Sequence, residues 1–243
     1  MKRLNPIRSA TSPLQLPQVI AVDGPSASGK GTLSRRLARE LTYTYVDSGA
    51  MYRCLAWWAL ENGLHCEKPM GPADEAAIVQ LMRKWKADMR LIDGMAWLHV
   101  NGYFPEKEIR TDRVEKAVPV IAQIEKVRDY MVNAQRDCVR FGPLVMEGRD
   151  IGTEVFPLAP VKFFLEADEK ERARRMADRG NVTSDGATRD AMDVNRRKGA
   201  LVPALDSIRI DNTGQTPDQT FALLMDQVRA RLPRTASGDG AKP

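Results

Sequence analysis

Apolar positions along the chain switch repeatedly between two spacings, and the switching lays out a layered fold. Val19-Ile-Ala-Val22 is a brief β-branched run, too short for a helix and suited to a buried strand. From Thr32 onward Leu33, Leu37 and Leu41 recur at every fourth position with arginines between them, which predicts an amphipathic helix. A strand is expected at Tyr43 to Val46, and a helix where Asp47-Ser-Gly-Ala-Met-Tyr-Arg53 runs into Cys54-Leu-Ala-Trp-Trp-Ala-Leu60. Residues 64–110 change character: a Pro/Gly connector, a short helix at Asp74 to Lys84, then Met89 to Ile92 and Ala96 to Val100 around Asp93-Gly94. That pattern predicts an insert with its own small hairpin.

The core pattern resumes with one helix from Arg110 to Arg140, in which Pro119 implies a break or kink. Strands follow at Leu144 to Met146 and Val161 to Leu165, then a charged helix at 167–176, a strand at Ser207 to Asp211 and a helix at Pro217 to Leu232. Strands alternating with helices imply α/β architecture, a parallel sheet with helices on both faces, hence three layers. Residues 1–17 and 234–243 are polar and aperiodic, so both read as flexible tails around one domain at 18–233. The segment 172–199, rich in Arg, Asp and Gly toward its end, suits a mobile lid.

Composition narrows the class. A chain of 243 residues that is 43% hydrophobic can bury a sizeable core. No apolar run approaches the ~20 residues of a membrane span, and the N-terminal stretch lacks a signal core, so the expected setting is the cytoplasm, without a membrane partner. Cys54, Cys66 and Cys138 are odd in number and far apart, which predicts buried thiols rather than disulfides or a zinc site. His65 and His99 each stand alone. The net charge is +5 and the pI about 9.2, which suits nucleic acid, an anionic membrane or a phosphorylated substrate. The arginines come in short groups with acidic neighbours, as in Arg149-Asp150, and no long basic block occurs. That distribution favours small phosphates over a nucleic-acid polymer.

The sharpest motif is Gly24-Pro-Ser-Ala-Ser-Gly-Lys-Gly-Thr32, placed between the first strand and the first helix. A turn of backbone N–H groups ending at a helix N-terminus desolvates and neutralises a phosphate tail. The expected ATP phosphate cradle is therefore Gly24, Pro25, Ser26, Ala27, Ser28, Gly29, Lys30, Gly31 and Thr32, with Gly24 and Gly29 permitting the turn and Lys30 supplying mobile charge. Gly31 holds the place where GTPases and many ATPases carry the Mg²⁺-binding hydroxyl, and Thr32 follows one position late. This resembles the nucleoside monophosphate kinase group, and no guanine-reading Asn-Lys-x-Asp is present.

Taken with Asp47 to Arg53, Glu108-Ile-Arg-Thr111, Glu147-Gly-Arg-Asp-Ile-Gly-Thr153, Val155-Phe-Pro157 and Ala200-Leu-Val-Pro-Ala204, the motif resembles the bacterial cytidylate kinase family over about residues 18–230. The resemblance implies a P-loop kinase with an acceptor-side insert and a lid, moving the γ-phosphoryl group of ATP to CMP or dCMP with Mg²⁺. It implies that Lys30, Arg149 and Arg189 are catalytic. It implies a CMP site of Ser48, Arg53, Arg128, Arg149, Asp150, Arg189, Asp193 and Arg196, with Arg128 and Asp150 facing the cytosine. No direct protein ligand to the metal is implied; it travels with ATP, and Thr32 and Glu147 are candidates to hold it through water. A monomer is expected.

Acceptor phosphates are mostly dianionic at neutral pH, so such a reaction needs positioning and charge rather than a general base. Arg189, Asp193 and Arg196, spaced i, i+4, i+7, share one face of a helix. Arg110 and Arg113 are expected at the surface. Two departures from the family pattern stand out: Pro119 sits where a serine usually meets the cytosine, and the stretch between Arg172 and Arg189 is short. Two rival readings stay open, a kinase for UMP or another small acceptor, and a non-catalytic nucleotide or RNA binder.

Overall fold

The computed structural model describes residues 18–66, 70–178 and 186–232. The expected tails, and residues 179–185 of the expected lid, lie outside the described residues. The first strand, β1 (Val19–Asp23), is buried along its whole length. Val19 and Ala21 face one core while Ile20 and Val22 face another, which is why the strand reads as an unbroken apolar run.

The loop after β1 leads into α1 (Lys30–Leu41), followed by β2 (Thr44–Asp47) and α2 (Ser48–Glu61). Next come α3 (Pro72–Lys84), β3 (Ala87–Ile92), β4 (Met95–Val100), α4 (Asp112–Ile121), α5 (Glu125–Asp137) and β5 (Leu144–Gly148). The described chain closes with β6 (Val161–Glu166), α6 (Glu169–Asp178), α7 (Gly186–Val194), β7 (Ile208–Asp211) and α8 (Pro217–Arg231). The strands form one sheet in the order β3-β4-β2-β5-β1-β6-β7. All neighbours run parallel except β3, which is antiparallel to β4. Leu33 and Leu37 of α1 pack with Phe221 and Leu224 of α8 on one face. Leu55, Ile78, Val118 and Met131, from α2, α3, α4 and α5, fill the other.

Two expectations change. The hairpin does not stand apart: β4 pairs in parallel with β2, Tyr45 opposite Met95 and Val46 opposite Ala96. Ala96, Leu98 and Val100 need cover on one face, and the edge of β2 needs hydrogen-bond partners, so joining the sheet satisfies both. Asp93 and Gly94 turn the hairpin with φ of 50° and 74°, the left-handed pair that a two-residue turn demands. The single helix from Arg110 is also two helices, parted at residues 122–124 rather than at Pro119 itself. Pro119 lies in the last turn of α4 and has no N–H to return to the preceding turn. The helix ends two residues later, and Ile124, extended at φ −71° and ψ 115°, starts α5.

From β1 the chain crosses β5 to reach β2, whereas from β5 it crosses β1 to reach β6. Above the carboxyl ends of β1 and β5 the connections therefore diverge, and an open α/β sheet leaves its crevice at such a point. The three cysteines are buried, and none forms a disulfide among the described residues. Trp57 and Trp58, with ring centroids 5.9 Å apart, pack against the core.

Candidate active site

The loop Gly24–Thr32 fills that switch point. Gly24 takes φ +149°, and a Cβ on it would lie 2.2 Å from the Leu165 carbonyl oxygen, so only glycine fits against β6. Gly29, at φ +94°, caps α1 and turns the first N–H groups of the helix toward the crevice. Lys30 is buried and curls back, its Nζ donating to the Pro25 carbonyl at 2.6 Å. Neighbouring elements fix the loop from behind. Asn212, just past β7, donates to the Ser28 carbonyl at 2.8 Å, and Arg175 of α6 donates to Asn212 Oδ1 at 2.9 Å. Arg174 pairs instead with Glu171 and Asp178 at the surface.

The structure gives Gly31 a reason. A Cβ on Gly31 would stand 2.9 Å from Glu147 Oε1, so the missing side chain is what lets the β5 carboxylate lie over the first turn of α1. Glu147 is held there by the Tyr45 hydroxyl, which donates to Oε1. Burial, and then the nearby Asp47 charge, push the Glu147 carboxyl above its usual range. Thr32 is exposed on the same turn. Gly31→Ala is expected to keep the fold but lower kcat about 10- to 100-fold by displacing this carboxylate, and to raise the divalent-metal concentration for half-maximal rate. A metal titration and a melting curve check it; an unchanged rate would mean that Glu147 is free to move aside.

On the acceptor side the first turn of α2 is built by Asp47. Its carboxylate accepts from the Ala50 N–H at 2.9 Å and from Arg53 Nη2 at 2.7 Å. A Cβ on Gly49 would meet Arg53 Nη1 at 3.1 Å, so Gly49 leaves room for Arg53 to fold back on its own helix. Burial works against the Asp47 charge, yet Arg53 and Arg110 hold the carboxyl below its usual range. Arg110 is exposed, as expected, yet it lines the cleft and pairs with Asp47 at 3.5 Å. Arg113 reaches the Leu60 carbonyl at 3.4 Å. Ser48 donates to the Glu147 carbonyl at 2.7 Å, so its hydroxyl braces β5 against α2.

Asp150 lines the cleft and accepts from Arg128 Nη2. Arg128, 2% exposed, does not share the wall; it stands behind Asp150, and Gly199 packs over the pair. Its buried Nε and Nη1 find no hydrogen-bond partner among the described residues. Pro119 lies on the cleft wall with Val118 and Ala122, where it offers no donor to a base. Tyr52, whose phenol burial pushes up to about 12, lines the cleft beside Asp150.

The lid-side residues come from α7 and the turn after it. Arg189 Nη1 donates to Glu115 Oε2 at 2.7 Å. Asp193, 1% exposed, accepts from Arg149 Nε at 2.8 Å and also from Arg196. Arg196 lies beyond the end of α7, so the three do not share one helical face as expected; Asp193 holds Arg149 and Arg196, while Arg189 pairs with Glu115. Arg149 is the junction of the site, because its Nη1 also donates to the Gly24 carbonyl and its Nη2 to Ser26 Oγ, both at 3.1 Å. Asp190 ties α7 to the loop, accepting from the Ser26 N–H at 2.9 Å and from Arg172.

All of this encloses one cleft of about 650 Å³. Burial and then Arg149 lower the Lys30 amine to about 7, and burial and then Arg149 also lower Arg189. Cations crowded this way need anions. At pH 8 a Lys30 depressed to about 7 is mostly neutral, and a phosphate beside it raises its pKa again. Nucleotide binding is therefore expected to take up roughly one proton at pH 8. Calorimetry in buffers of different ionisation enthalpy measures it, with Lys30→Ala abolishing the uptake.

The structure brings together Lys30, Ser48, Arg53, Arg149, Asp150, Arg189, Asp193 and Arg196, and leaves Arg128 one layer back. Glu115, Asp190, Tyr52 and Asp23 were not singled out from sequence. Asp190, next to Arg189, carried the clearest missed signal. Asp23 ends β1, 5% exposed, and burial pushes its carboxyl up to about 7.

A phosphate loop at the switch point of a parallel sheet, facing a wall of arginines braced by carboxylates, defines a P-loop kinase for small phosphorylated acceptors. The cytidylate kinase family profile matches residues 20–230. The cytidylate kinase of Flavobacterium johnsoniae is 36% identical over 222 residues, covering 86% of this chain and 95% of that protein. That of Pelotomaculum thermopropionicum is 36% identical over 221 residues, covering 87% and 96%. The chain belongs to the cytidylate kinase family, ATP-dependent nucleoside monophosphate kinases. Among solved structures, a shikimate kinase from Acinetobacter baumannii in complex with shikimate matches at a TM-score of 0.47 and 12% identity, over 90% of this chain and 96% of that one; so loose a likeness carries no argument.

Proposed function

We propose that the cleft transfers the γ-phosphoryl group of ATP to CMP or dCMP, giving ADP and CDP or dCDP, with Mg²⁺ as the metal that accompanies ATP. One observation carries the reading: a single cleft is lined by the phosphate loop and by Arg53, Arg189 and Asp150, with Arg149 bonded to the loop at their junction. Two anionic phosphates held in line need that density of donors. In this reading Lys30 follows the transferred group, while Arg149 bridges the loop and the acceptor phosphate. Arg53, Arg189 and Arg196 bind the acceptor phosphate and sugar, oriented by Asp47, Glu115 and Asp193 respectively. The loop amides from Gly24 to Thr32 bind the phosphates of ATP.

The donor set fits Mg²⁺. That ion keeps several waters and is usually held by substrate phosphates with one or two carboxylates nearby. In this reading Glu147, held over Gly31 by Tyr45, and the exposed Thr32 hydroxyl would hold such waters. When bound, the metal neutralises charge on the phosphate oxygens.

Residues 18–233 act in this reading as one monomeric kinase domain in the cytoplasm, with 64–110 as the acceptor-side insert and 172–199 as the lid. No helix among the described residues is long and apolar enough to cross a membrane.

Pro119 favours a second reading in which UMP is also accepted, because the wall there offers no hydrogen bond to either base. A coupled assay of ADP release with CMP, dCMP, UMP and AMP at matched concentrations separates the two. Turnover confined to CMP and dCMP supports the first reading; equal turnover with UMP establishes the second. No turnover with any of the four would sink both.

A further inference from the structure

Asp23 belongs to the phosphate-loop strand by sequence, yet its side chain serves the opposite half of the cleft. One carboxylate oxygen accepts from the Ile151 N–H at 2.9 Å and the other from the Gly152 N–H at 2.7 Å. These are the first two amides of the short π-helical turn Ile151–Val155, which have no carbonyl of their own turn to bond. Asp23 itself cannot shift, because its backbone sits mid-sheet between Gly148 of β5 and Phe164 of β6. Gly152 is tightly packed: a Cβ there would meet Lys162 Cδ at 3.2 Å and Asp23 Oδ2 at 3.4 Å.

Four residues separate β5's Met146 from this anchor: Glu147, Gly148, Arg149 and Asp150. Three of the four carry side chains that line the cleft. Strand pairing fixes the near end of the segment, and Asp23 fixes the far end directly behind Asp150.

We infer that Asp23 is a positioning residue for acceptor-base selection: its paired backbone hydrogen bonds set where the Asp150 carboxylate points. It touches no substrate and acts through Ile151 and Gly152. The inference rests on the reading of Asp150 as the group that meets the base.

The test uses Asp23→Asn at pH 8, above the pKa of about 7 that burial gives this carboxyl. The carboxamide keeps one acceptor oxygen and turns an NH₂ toward the second N–H, so one charged hydrogen bond is lost. KM for CMP is expected to rise about ten- to a hundredfold, and the CMP-to-UMP ratio of kcat/KM to fall alongside it. The Kd for ATP should stay close to wild type, while the melting temperature falls by a few degrees for the lost buried hydrogen bond. In an Asp150→Ala background the same substitution should change the base ratio less than about twofold, because residues that act as one unit are not additive. Gly152→Ala, which presses on the anchor from its far side, should repeat the selective loss in milder form and serves if Asp23→Asn folds poorly.

A loss of ATP affinity with KM for CMP unchanged would assign Asp23 to the phosphate loop and overturn the inference. So would a base ratio that Asp23→Asn leaves intact while Asp150→Ala erodes it. If Asp150→Ala itself leaves the ratio unchanged, the base-site reading fails and the anchor's proposed role fails with it.

Discussion

Arg149→Ala is expected to lower kcat by about 10³- to 10⁵-fold, the range seen when an arginine that stabilises a transferring phosphoryl group is removed. The structure says why one side chain matters this much. Its three nitrogens reach three partners on two elements: Asp193 of α7, and the Gly24 carbonyl and Ser26 hydroxyl of the phosphate loop. In the proposed reading a guanidinium at that junction lies between the donor and acceptor phosphates and gains most when charge spreads over the transferring group. KM for ATP should change far less, because the loop keeps its own amides and Lys30.

Arg149→Lys should recover only a small part of the rate. An ammonium supplies charge without the planar fork that meets three partners at once. Single-turnover rates, with nucleotide binding measured separately, divide chemistry from affinity. A loss below about tenfold in kcat for the alanine variant would move Arg149 from the reaction to the scaffold.

Legibility in the sequence followed the range of the interactions. The phosphate loop was readable because its demands are local: Gly24 and Gly29 take backbone angles that few residues tolerate, and Lys30 follows at fixed distance. The strands and most helices were readable for the same reason, since burial on one or both faces writes its period directly into the chain. The union of β4 with β2 was not, because a hairpin pattern does not say which sheet edge it will join. The break between α4 and α5 was readable from Pro119, though not its exact place, since the helix ends two residues later.

Within the site, family motifs named the cations and missed several of their partners. Glu115 reaches Arg189 from α4 and Asp190 reaches Ser26 from α7, across 74 and 164 residues of chain. No spacing rule reports such pairs. The glycine at position 31 was legible as a departure, but its meaning needed the Glu147 carboxylate in place above it. Arg128 shows the converse: its role was expected at the cleft wall, while packing under Gly199 sets it behind Asp150.

Asp150 carries the second large effect. Asp150→Asn is expected to lower the preference for CMP over UMP by about 10²-fold or more, since a site built to bond one polar group rejects the base that lacks it. The carboxylate can only accept, which suits the exocyclic amine of cytosine and repels the carbonyl that uracil presents there. The asparagine amide can turn its NH₂ outward and donate to that carbonyl, so kcat/KM for UMP should rise while that for CMP falls. Asp150→Ala is the harsher variant. It leaves the buried Arg128 charge without its partner, which costs on the order of 3–5 kcal/mol of stability, and melting curves must accompany its kinetics. A gain with UMP in the asparagine variant cannot come from such damage, because general destabilisation lowers both rates. If both rates fall together in Asp150→Asn, the base is read elsewhere on the wall, and Tyr52, which lines the cleft beside Asp150, is the next residue to change.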